Sequence, residues 1–68
     1  MTKIAKTWAN KANAKGIINV NKIETCGVAN YDIDCGGFGW CRMNSKEFNE
    51  LSTLLNENVK ITTTNNKQ

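Results

Sequence analysis

Between Ala29 and Cys35 the side chains alternate in character. Ala29, Tyr31, Ile33 and Cys35 are apolar, while Asn30, Asp32 and Asp34 between them are polar. A period of two places alternate side chains on opposite faces, which predicts a half-buried strand. Gly36-Gly37 interrupts the alternation, because glycine reaches the positive-φ geometry of a tight turn. The pattern then resumes, with Phe38, Trp40 and Arg42 on one face and Gly39, Cys41 and Met43 on the other. The expectation is a hairpin with strands over 28–35 and 38–43, around which the core forms.

Residues 2–15 follow a different period. Ile4, Ala5, Trp8, Ala9 and Ala12 recur at helical spacing, and Lys3, Lys6, Asn10 and Asn13 fall opposite. Gly16 stands where a left-handed C-cap belongs, and Lys11 and Lys15 suit the negative end of the helix dipole. Three of the five inward residues are alanines, so this helix packs closely, with Trp8 as its one large anchor. Ile17, Ile18, Val20 and Ile23 predict a strand over 17–24. Its imperfect alternation fits a central strand, or a bulge near Asn21-Lys22, and Thr25-Cys26-Gly27 reads as a turn.

The second helix has the clearest start signal. Asn44 is a good N-cap, Glu47 closes a capping box, and Met43 and Phe48 are spaced for a hydrophobic staple. Phe48, Leu51, Leu54 and Leu55 make its apolar stripe, and Asn56 or Asn58 would stop it in the left-handed region. A β-type run follows over 59–64, leaving 65–68 as a disordered tail. The order is α-β-β-β-α-β: a single α+β domain over 1–64, an antiparallel sheet with both helices packed on one face.

Charge and cysteine content narrow the chemistry. Residues 1–23 carry five lysines and no acid, whereas 24–58 carry six acids against Arg42 and Lys46. The lysine-bearing helix is a solvated face or a basic surface for an acidic partner. No histidine is present, so a Cys–His nucleophilic pair is excluded. Cys26, Cys35 and Cys41 read as reduced thiols used as small hydrophobes, although Cys35 and Cys41 could face each other and bridge under oxidation. Asp32-x-Asp34-x-x-Gly37 begins like a calcium loop, but Met43 occupies its twelfth position, where a glutamate is needed. Three cysteines without histidine or C-x-x-C spacing make a poor zinc site. No catalytic set, metal or other cofactor is expected. No apolar run reaches the length of a membrane span and no secretory signal is visible, so the expected location is cytoplasmic.

Gly37-Phe38-Gly39-Trp40 resembles the Gly-Phe-Gly-aromatic strand of RNA-recognition-motif and cold-shock domains. The resemblance covers 37–43 and implies that Phe38 and Trp40 stack on unpaired bases. The chain departs from that pattern at Gly36, where a basic residue is expected, and at Met43, where an aromatic is expected. In a protein this short of large side chains, Phe38 and Trp40 are instead assigned to the core. The leading expectation is a protein–protein interaction module, monomeric or a small homo-oligomer. Its surface would draw on Lys3, Lys6, Lys11, Lys15, Asp32, Asp34, Phe38, Trp40 and Arg42. Asparagine-, lysine- and isoleucine-rich usage suits an AT-rich genome, and many phages have one, so an inhibitor of a host defence protein is the specific form expected. The alternative is a single-stranded nucleic-acid binder using Phe38, Trp40 and the N-terminal lysines.

Overall fold

The computed structural model describes residues 2–37 and 39–67, without the side chains of Asn66 and Lys67. Helix α1 (Lys3–Lys15) leads into strand β1 (Ile17–Thr25), followed by β2 (Val28–Asp34), β3 (Cys41–Asn44), α2 (Ser45–Leu54) and β4 (Lys60–Lys67). This is the expected α-β-β-β-α-β order. The strands form one sheet in the order β3-β2-β1-β4. β1 runs antiparallel to β2, and β2 antiparallel to β3. β4 returns parallel to β1, so the sheet is mixed and not wholly antiparallel. The α2 crossover causes this, since it carries the chain back to the far side of β1 before β4 begins.

Both helices cover the face that carries Ile18, Val20, Ile33, Cys35 and Met43, all buried. Ala5, Ala9 and Ala12 are buried as well, and their small side chains let α1 settle closely onto its neighbours. Gly16 ends α1 at φ 76, its N–H donating to the Ala12 carbonyl at 2.7 Å. Asn13, placed by its spacing opposite the apolar stripe, does not simply face water. It ties the helices together instead: its Nδ2 donates to the Leu54 carbonyl, and its Oδ1 accepts from the Asn56 N–H. At the other end of α1, the Thr2 N–H and hydroxyl both donate to Glu50 Oε1, at 3.0 and 2.8 Å. A carboxylate from α2 thereby supplies the negative charge that the first turn of α1 lacks.

β1 is central, and its pairing with β2 runs without a break from Asn19↔Asp34 to Thr25↔Val28. Its mixed face pattern thus comes from its central place, with no bulge at Asn21-Lys22. Cys26 and Gly27 make a two-residue hairpin, both at positive φ (53 and 77).

The other hairpin differs from expectation. β3 starts at Cys41, and the described residues 35–37, 39 and 40 belong to a connection (the 35–40 connection) instead of a tight Gly36-Gly37 turn; the expected strand start, Phe38, lies outside the described residues. Positive φ falls at Gly36 (78) and Gly39 (92), so the turn is spread along the connection.

The capping box of α2 is complete. Glu47 N–H donates to Asn44 Oδ1 at 2.8 Å, and Asn44 N–H donates to Glu47 Oε1 at 3.0 Å. The helix ends on Leu55 in extended geometry, not on a left-handed Asn56 or Asn58. β4 runs past the expected end at Thr64, because Asn65, Asn66 and Lys67 stay in register with Lys22, Ile23 and Glu24 of the long β1.

Candidate functional site

Side chains that alternate away from the helices collect on the uncovered sheet face. β1 contributes Asn19 and Asn21, β2 Asp32 and Asp34, and β4 Thr62 and Thr64. They floor an open basin of about 670 Å³, with Trp40 and the glycines of the 35–40 connection at its rim. Asn19 Nδ2 and the Gly36 N–H both donate to Asp34 Oδ1, at 2.9 and 3.0 Å. These bonds anchor the start of the connection to the sheet.

Asp32 and Arg42 are direct cross-strand partners. Arg42 Nε donates to Asp32 Oδ1 at 2.7 Å, and Nη2 to Oδ2 at 3.1 Å, a bidentate fork. The hydrogen bond and charge of Arg42 hold the Asp32 carboxyl below its usual range, against a smaller opposing effect of burial. The Arg42 guanidinium also lies 5.9 Å from the Trp40 ring centroid.

Trp40 itself is 62% exposed, which corrects its assignment to the core. The inward positions near it are taken by Cys41 and Met43, and the period of two then sends Trp40 and Arg42 to the open face. Phe38, assigned with it, lies outside the described residues. Among the residues expected to bind a partner, the fold therefore brings Asp32, Asp34, Trp40 and Arg42 together. Lys3, Lys6, Lys11 and Lys15 are exposed on α1 and do not line this basin.

Asn19, Asn21, Thr62 and Thr64 were not picked out from the sequence. The alternation of Asn19 and Asn21 with Ile18 and Val20 was a usable signal. The threonines had none, since their place depends on β4 returning beside β1.

The thiols divide by position. Cys35 is buried and Cys41 half-buried, whereas Cys26 is an exposed turn residue and not a packing one. All three are free. Burial pushes the Cys41 thiol up to about 11, with the nearby Cys35 adding to it. Burial also raises Cys35, as does Asp34, while Lys11 and Lys15 oppose the shift. Both remain protonated near neutral pH and make weak nucleophiles. Among the described residues no group of three or more His, Cys, Asp or Glu side chains is placed to hold a metal ion. Nor is any helix among them long and apolar enough to cross a membrane. No protein-family model matches the chain, and no curated protein or solved structure is significantly similar to it.

Proposed function

We propose that the chain is a binding module that docks a protein partner on its open sheet face. The observation that carries this reading is the exposed Trp40, set beside the Arg42–Asp32 fork at the rim of a polar basin. Tryptophan and arginine are the residues most enriched where binding energy concentrates in protein interfaces. Arg42 stands on β3 itself and Trp40 directly precedes that strand, which limits the conformational entropy lost when a partner docks.

Charge separates this reading from nucleic-acid binding. The basin floor holds two carboxylates, and the nearby arginine is committed to one of them. A phosphate backbone would meet repulsion there, whereas protein donors would meet acceptors: Asp34 and the asparagine and threonine oxygens. On this reading the chain acts by occupying its partner's surface. An inhibitor of a host defence protein, encoded by a phage or mobile element, is the form that its small size and asparagine-rich usage favour.

The test is capture from bacterial lysate by tagged wild-type protein and by Trp40→Ala, with and without nuclease. A partner held by the wild type, insensitive to nuclease and lost with folded Trp40→Ala, is the expected result. Capture that persists in Trp40→Ala, or that nuclease abolishes, would overturn the reading, the latter in favour of nucleic acid.

A further inference from the structure

Behind the 35–40 connection, on the α1 side, lies a second concavity of about 280 Å³ whose chemistry is the reverse of the basin's. Trp8, Ala14 and Cys35 give it an apolar lining, and Lys11 and Lys15 bring two ammonium groups, with Gly37 opposite. Helical spacing explains the gathering, since residues 8, 11 and 15 fall on one side of α1. Trp8 is only half-buried here, so the anchor expected for the core also forms part of a surface site.

Lys11 Nζ lies 4.5 Å from the Trp8 ring centroid. Lys15 Nζ reaches the connection, where a Cβ on Gly37 would come within 3.0 Å of it. Both lysines act electrostatically on the Cys35 thiol, so their fields converge on the cavity. The acid that acts on the same thiol is Asp34, whose side chain faces the opposite side of the sheet. The ion pairs among the described residues are Lys22–Glu24 and Arg42–Asp32, and neither uses Lys11 or Lys15.

Two ammonium groups in neither of those ion pairs, one of them over the Trp8 ring, border an aromatic and aliphatic lining and suit a particular ligand. We propose that this cavity binds a carboxylate on an apolar stem, the chemistry of a glutamate side chain supplied by a protein partner. The stem lies against Trp8 and Ala14, and the carboxylate bridges Lys11 and Lys15. Naming a protein as the source of the glutamate rests on the docking reading above. The cavity itself uses none of the docking residues.

A small probe therefore tests the cavity separately from the basin. Full-length protein is titrated with N-acetylglutamate amide, and binding is read from the Trp8 indole N–H by heteronuclear NMR. N-acetylglutamine amide and inorganic phosphate are run in parallel. The expected result is a saturable shift with the glutamate probe alone, weakened by salt. The double variant Lys11→Gln/Lys15→Gln, both at exposed positions, should stay folded and bind at least about tenfold more weakly. Trp40→Ala should leave the response unchanged, so failure of the docking reading would not mimic failure here. An equal response to glutamine or phosphate, no response to glutamate, or undiminished binding by the double variant would each overturn the proposal.

Discussion

Cys26 occupies a position that its side chain does not favour. It sits at φ 53 as the first residue of a two-residue hairpin, where asparagine before glycine is the preferred pair. The thiol is exposed, so it gains no packing energy in return. Cys26→Asn should therefore stabilise the protein by about 1 kcal/mol, the cost of a left-handed non-glycine residue. A urea midpoint equal to or below that of the wild type would show that the turn is not strained. Cys41 leads to a prediction of a different kind. Its pKa rises from an ordinary 9.0 to about 11 on folding. Between those values the native state keeps a proton that the unfolded chain has released. Stability is then fully present below pH 9 and falls as pH climbs toward 11. Cys35 is shifted in the same direction and adds to the fall. Melting temperatures taken from pH 8 to 10.5 should decline more steeply for the wild type than for Cys41→Ala. Parallel slopes would place the alkaline loss on other groups.

At the scale of elements, the start of α2 rests on one reciprocal pair of bonds. Asn44→Ala removes the acceptor for the Glu47 N–H and should cost about 1 kcal/mol in chemical denaturation. An unchanged midpoint would mean that the first turn of α2 does not depend on its cap. This cap was legible in the sequence because it is local: asparagine, glutamate three residues on, then an apolar stripe. The Gly16 cap and the Cys26-Gly27 turn were legible for the same reason. The 35–40 connection was not. Gly36-Gly37 satisfied the local rule for a tight turn, but Ile33↔Cys41 is the last pair before the strands part. Packing of Cys41 and Met43 under α2 set that register, and no local rule contains it. The burial of Trp40 was misjudged because composition suggested a shortage of large core residues. The stacked Tyr31 and Phe48 rings, 4.2 Å apart, together with Ile18, Ile33, Met43 and Leu51, fill the core without it.

Over the whole molecule, stability should be distributed unevenly because β1 and β4 are held so differently. β1 is hydrogen-bonded on both sides and carries Ile18 and Val20 into the core. β4 is an edge strand that packs against β1 alone, and the helices leave its Ile61 55% exposed. Lys60, exposed at the start of β4, discourages pairing with a second copy along the open edge. The side chains that β4 turns to the open face, Thr62 and Thr64, are nonetheless part of the floor of the basin. One part of the docking surface thus sits on the least supported strand, and another on the central one. Opening of β4 would expose little apolar surface, so it should occur without global unfolding. Native-state hydrogen exchange should show the paired amides of β4 exchanging at a lower opening free energy than those of Asn19 and Asn21, which point to β2 and should open only globally. A partner bound on the sheet face should slow the β4 amides selectively, since it must hold Thr62 and Thr64 in place. If β4 and β1 exchanged at one common free energy, β4 would belong to the same cooperative unit as the core.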